Sequence, residues 1–178
     1  MAFIVENGVG LPNANSYVDV ATFKDYWDDR CVEIPSASTR REIQGSLVQS
    51  SSFLDRRYRD KIIGLRLNVN QSLEFPRTNA FYTDGRGVLG VAPEWRDATI
   101  ELAFRVLQVQ PLTSDALAPD PTFDASNRVV IAKRERVGPI DESTQFVADA
   151  AILSWRRYPA VEGLIRELVN EGRILQRA

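Results

Sequence analysis

Cationic and aromatic residues interleave at two places in this sequence, Arg56-Arg57-Tyr58-Arg59 and Trp155-Arg156-Arg157-Tyr158. That pattern can stack single-stranded bases while pairing with phosphates. It is equally the composition of a protein-interface hot spot. For the first group, a helix end that favours positive charge is the simpler reading. The second is short and sits in an acidic chain, which favours a protein interface. A third basic run, Lys133-Arg134-Glu135-Arg136, follows the β-prone residues Arg128 to Ala132. On a strand, Arg128, Arg134 and Arg136 would line one face with Ala132, a row suited to an acidic partner surface. Charge that only protects an edge strand from aggregation is the alternative.

Other candidates carry less. Asp25, Asp28 and Asp29 make an acidic helix end. Neighbouring helix residues diverge, whereas a cation needs oxygens converging on one point, so a solvated surface is expected. Asp84-Gly-Arg-Gly87 has the glycines of a phosphate loop but lacks its lysine and strand-loop-helix setting, so it reads as a turn. The chain has no histidine and one cysteine, Cys31. A Cys/His zinc centre, a Ser-His-Asp triad and a Cys-His pair are therefore excluded. No carboxylate, serine or lysine pair stands at a spacing suited to catalysis. The expectation is no catalytic, cofactor or metal site.

The elements that would position these residues follow from periodicity. Phe3-Ile-Val5 reads as a short strand before a Gly/Pro/Asn turn region. Asp19 reads as an N-cap, with Val20, Phe23 and Trp27 on one face of a helix to about Arg30. Thr39-Arg-Arg-Glu42 fits a capping box. The helix after it carries Ile43, Leu47, Leu54 and Tyr58 on one side. Its middle is small, with Gly45, Ser46, Ser50, Ser51 and Ser52. A solvated serine face is favoured there over a close approach by another element. Ile62-Ile63-Gly64-Leu65 reads as either a short strand or a loop. Phe75-Pro76-Arg77 is extended. Pro93 opens the strongest helix, to Gln110, whose stripe through Trp95, Ala98, Leu102, Val106 and Leu107 should centre the core.

After Pro111 the helical rhythm stops until Pro159. Compact domains rarely hold so long a connection unless it is functional or disordered. Pro111, Pro119 and Pro121 make a stiff connector. Arg128 to Val137 and Ile140 to Val147 read as a hairpin about Gly138-Pro139. Such a segment has no sizeable core of its own, so it is expected to dock, mainly on other subunits. A last helix from Pro159 to about Gly172 presents Val161, Leu164, Ile165 and Leu168. The expected fold is mainly α: a small helical bundle hub (1–110), an extended arm with a β-hairpin (111–158), and a short C-terminal helix and tail (159–178).

Composition sets bounds on partners. The 178 residues carry a net charge of −2 and are 44% apolar, enough for one modest core with no global pull toward nucleic acid. Only Lys24, Lys61 and Lys133 among the 22 basic residues are lysine. Arginine suits buried and interfacial pairing, though a GC-rich genome yields the same bias. No secretion signal and no apolar run of membrane-spanning length is seen, so a soluble, cytosol-made protein is expected.

Several motifs, in their order, resemble a known family. Asn15-Ser-Tyr-Val18 precedes a helix with Tyr26-Trp27. Gln71-Ser-Leu-Glu-Phe-Pro-Arg77, Pro93-Glu-Trp-Arg-Asp-Ala98, Glu101-Leu-Ala103, Arg134-Glu-Arg-Val-Gly-Pro139 and Tyr158-Pro159 follow. Together they resemble the head–tail connector, or adaptor, proteins of tailed phages, many of which are labelled DnaT-like single-stranded DNA-binding proteins. Phe75 stands where tryptophan is expected. The resemblance implies a virion protein made in the host cytoplasm, forming a ring of twelve copies below the portal. Its partners would be the portal, identical neighbours and a tail-side protein, with no membrane contact. DNA would cross the lumen without specific binding. Arg128, Arg134, Arg136, Trp155, Arg156 and Arg157 would make contacts outside the subunit, and Leu164, Ile165 and Leu168 would insert at the portal. Single-stranded DNA binding is the alternative function, and an enzyme ranks last.

Overall fold

The computed structural model describes residues 2–35, 38–108 and 158–170, with the backbone of strands at 130–134 and 143–146. Its elements are α1 (Val20–Asp28), α2 (Arg40–Tyr58), β1 (Leu65–Arg66), β2 (Arg77–Thr78), α3 (Pro93–Gln108), β3 (Val130–Arg134), β4 (Ser143–Phe146) and α4 (Pro159–Ile165). The fold is mainly α, with two small antiparallel ribbons, β1–β2 and β3–β4. The chain divides into two compact units, Met1–Leu117 with Arg157–Ala178, and Ala118–Arg156.

Local chemistry starts α1, α2 and α3. Asp19 accepts the Thr22 N–H at 2.9 Å. Thr39 Oγ1 accepts the Glu42 N–H at 3.2 Å, while Glu42 Oε2 accepts the Thr39 N–H at 2.6 Å, closing the capping box. Pro93 opens α3, where its missing N–H costs nothing. α2 and α3 pack together, and α4 packs on α3. Trp95 centres the core, edge-on to Tyr17 (6.3 Å) and Tyr58 (6.2 Å) and tilted against Phe75 (5.0 Å). Leu47, Leu54, Leu102 and Leu107 are fully buried around it.

Several expectations need correction. The serines of α2 are not a solvated face: Ser46, Ser50 and Ser51 are all 0% exposed, though Ser52 is exposed. Each buried hydroxyl donates to a carbonyl on its own helix (Ile43, Ser46 and Leu47), so it enters the interior satisfied. Their small size admits neighbouring backbone, since the Tyr17 N–H reaches Ser51 Oγ at 3.3 Å. Phe3 to Val5 is not a strand; Val5 makes one parallel bridge to Ser16. α1 stops at Asp28, where the chain turns back with the Cys31 N–H on the Asp28 carbonyl. α4 stops at Ile165, because Val169 bridges Ile62 and the Asn170 N–H bonds the Lys61 carbonyl at 2.8 Å. The C-terminal helix is thus strapped onto the body that α2 and α3 build.

In the second unit, β3 pairs with β4 in the register Val130↔Phe146 to Arg134↔Ser143, with an irregularity between Val130 and Ala132. The expected antiparallel hairpin is present, and its turn about Gly138-Pro139 lies outside the described residues.

Candidate functional site

The element Gln71 to Arg77 gathers a buried polar network. The Phe75–Pro76 peptide is cis. The Phe75 ring, buried beside Trp95, and the Glu74 N–H on Asp55 anchor Glu74 and Arg77 over the C-terminal half of α2. Glu74 Oε2 accepts from Arg77 Nη2 at 2.6 Å, and Oε1 accepts from Arg59 Nε at 2.9 Å. Arg77 Nη1 also donates to the carbonyls of Ile62 (3.2 Å) and Gly64 (3.0 Å). Gly64 has φ +75, and a Cβ there would lie 2.6 Å from the Thr78 carbonyl oxygen. Only glycine fits that close approach.

Asp55, on α2, completes the network. Its Oδ1 accepts the Tyr17 hydroxyl at 2.5 Å and its Oδ2 accepts the Glu74 N–H at 3.1 Å. The Tyr17 oxygen in turn accepts the N–H groups of Glu74 (3.0 Å) and Phe75 (3.2 Å). Burial pushes the Asp55 carboxyl up to about 7, against the opposing effect of these donors. Burial, and then the neighbouring Asp55, raise the Tyr17 phenol well above its ordinary value. Tyr17, Asp55, Glu74 and Arg77 are all buried. Their polar atoms face one another, so the arrangement clamps the 71–77 loop to α2. Sequence reasoning singled out the loop but missed Asp55. The available signal was its place on α2, four residues after buried Ser51 and three before Tyr58.

The stacking set expected for single-stranded DNA is not assembled among the described residues. Tyr58 is 3% exposed and packed on Trp95. Arg57 pairs with Glu162 at 2.8 Å, Arg59 with Glu74, and Arg56 Nε donates to the Ser52 carbonyl at 3.3 Å. Tyr158 sets its ring edge-on to Phe53 at 5.7 Å, with Arg105 over it at 5.9 Å. Asp84-Gly-Arg-Gly87 is a turn, as expected, in which Asp84 accepts the Arg86 N–H at 3.0 Å. Among the described residues no group of three His, Cys, Asp or Glu side chains could hold a metal ion, and no helix is long and apolar enough to cross a membrane.

The residues expected to meet other subunits fall in three places. Ile165 and Leu168, at 1% and 0% exposure, lie in the core of the first unit, and Leu164 is half-buried. Their apolar surface is therefore largely used inside the subunit. Arg134 closes β3 opposite Ser143. Arg128, Arg136, Trp155, Arg156 and Arg157 lie outside the described residues.

Comparison with curated proteins gives no match, and neither does comparison with solved structures. A family model described as "Putative DnaT-like ssDNA binding protein" matches residues 1–178. With the match spanning every residue, the chain belongs to this DnaT-like family.

Proposed function

We propose that the chain is a structural subunit that works through contacts with other proteins, as a head–tail connector of a tailed phage. The observation that carries this reading is how the first unit uses its cations and rings. Tyr17, Tyr58, Phe75 and Trp95 fill the core, and Arg57, Arg59 and Arg77 are tied to carboxylates of the same unit. A single-strand groove needs rings and cations facing outward along one track. The hairpin unit, with Arg134 at the end of β3, stands as the part that reaches partners. The resemblance of the ordered motifs to those of connector proteins supports the partner class: portal, identical neighbours and a tail-side protein. Twelve copies would form the ring, and no catalytic role is assigned.

Single-stranded DNA binding is the second reading, and the family description favours it. Its cations would have to come largely from the basic runs around β3 and Trp155. One pair of experiments separates the readings. The purified chain is mixed with a portal protein and imaged as particles, and is titrated with a labelled oligonucleotide at low and high salt. Ring-shaped additions on the portal with no salt-sensitive DNA binding support the connector. Salt-sensitive DNA binding with no portal complex replaces it with the second reading.

A further inference from the structure

Both arginines of the buried network serve Glu74. Arg59 and Arg77 pair with its carboxylate at 2.9 and 2.6 Å, and neither pairs with Asp55. Asp55 is met instead by two neutral donors, the Tyr17 hydroxyl and the Glu74 N–H. Asp55 is 6% exposed and Glu74 is 3% exposed. An ionised Asp55 would therefore be a second carboxylate in a dry site whose cations are already taken. Burial is the chief obstacle to that charge, and the Glu74 carboxylate opposes it more than the Arg59 guanidinium assists it. The other groups around the site do not offset this. Tyr17 keeps its proton, because burial raises its phenol. Arg66 on β1 donates to the carbonyls of Gln71 and Leu73. α3 presents the uncharged ring of Trp95, packed on Tyr17.

The segment that closes over Asp55 is lightly anchored. The Glu74 backbone follows a stretch, 65–70, in which every residue is exposed. Leu65, Leu67 and Val69 are 66%, 50% and 93% exposed, so they bury little against the body. Gln71 braces the segment from within, donating from Nε2 to the carbonyls of Leu73 (2.8 Å) and Pro76 (3.1 Å). Apart from the buried Leu73 side chain, its ties to the body before Phe75 are polar. The Ser72 N–H meets the Leu11 carbonyl at 3.0 Å, the Ser72 hydroxyl meets the Ala14 carbonyl at 2.5 Å, and Glu74 meets Asp55, Tyr17 and Arg59. Segments with few buried apolar contacts are the ones that open locally. Phe75, buried against Trp95, roots the far end.

Lifting this segment admits water to Asp55, and a hydrated carboxyl returns to its ordinary value near 3.8. The closed form keeps its proton up to about 7. Opening is thus fully opposed below pH 3.8, grows easier by about tenfold for each pH unit above that, and levels off beyond about pH 7. We propose that Asp55 is a proton-operated latch: neutral Asp55 holds residues 65–74 closed on α2, and its ionisation lets them lift while α2 and α3 stay packed. The device is independent of whether the chain meets protein or DNA.

Amide hydrogen exchange of the full chain, read by NMR from about pH 5 to 8 and corrected for intrinsic rates, tests this, with Asp55→Asn alongside. The Ser72 and Glu74 amides should be less protected than those of Leu102 and Val106 on α3. Their protection should fall at least about tenfold as pH rises from about 5 to 7.5, and the fall should be absent in Asp55→Asn. Protection equal to that of α3 at every pH makes the opening global and overturns the latch. So does protection that ignores pH, or a fall that persists in Asp55→Asn. Should that variant melt early, carbon-13 titration of the Asp55 carboxyl in the unaltered chain decides. A midpoint matching that of the exchange curve upholds the latch, and any other overturns it.

Discussion

Replacing Asp55 by asparagine should remove a large pH dependence from this protein's stability. The carboxyl titrates at 3.8 in the unfolded chain and at about 7 in its buried site. At about 1.4 kcal/mol per tenfold change in proton affinity, that difference is worth about 4 kcal/mol. The sign follows from which state holds the proton. Between pH 4 and 7 the folded form keeps Asp55 protonated while the unfolded form ionises. The contribution is therefore complete below pH 3.8 and is lost as pH rises through about 7. Tyr17, Glu74, Arg59 and Arg77 are the polar and charged side chains of the network around it. Asp55→Asn keeps an acceptor for the Glu74 N–H but leaves the Tyr17 hydroxyl proton unsatisfied, at about 1–3 kcal/mol. Because that cost is smaller than the pH-dependent loss, the two stability curves should cross between pH 4 and 8. Urea denaturation of both proteins across that range measures it. Parallel curves with one constant offset would refute the assignment of Asp55 as the titrating group.

Four further outcomes follow from the packing. Leu102→Ala, at a fully buried site on α3, should cost about 2–5 kcal/mol in urea denaturation. Gly64→Ala should lower stability by about 1–3 kcal/mol, since its φ and the Thr78 carbonyl both oppose a Cβ, and calorimetry reads this directly. Thr39→Ala removes the capping box of α2 and should cost about 1 kcal/mol, seen as a lower thermal midpoint. Arg134→Ala with Arg136→Ala should leave the melting of the first unit unchanged while weakening portal association in a pull-down; an equal loss of melting would contradict a partner-facing hairpin.

The helices were readable where local rules decide them. Asp19, the Thr39–Glu42 box and Pro93 mark starts through side-chain and proline chemistry acting within a turn, and the stripe from Trp95 to Leu107 needs only a period of 3.6. What stayed hidden depends on distant residues. The α2 serines look solvated in sequence because their hydroxyls are polar, yet each is satisfied by a carbonyl three or four residues back and costs little to bury. α4 ends early for a tertiary reason, its bridge to Ile62. Glu74 and Arg77 were noticed as part of a motif, while Asp55 and Tyr17 come from 19 and 57 residues away, beyond any periodic pattern.

The placement of Tyr158 against Phe53 and beside Arg105 has a topological consequence. The second unit, Ala118–Arg156, is bounded on both sides by the first, and the chain after it sets Tyr158 beside Arg105 in the last turn of α3. The hairpin region is thus a doubly tethered insertion, not a trailing tail. An insertion held at both ends spans at most about half the reach of a free tail of equal contour length. It is also excisable in principle: joining α3 to Tyr158 with a short glycine–serine spacer would leave every helix contact of the body in place.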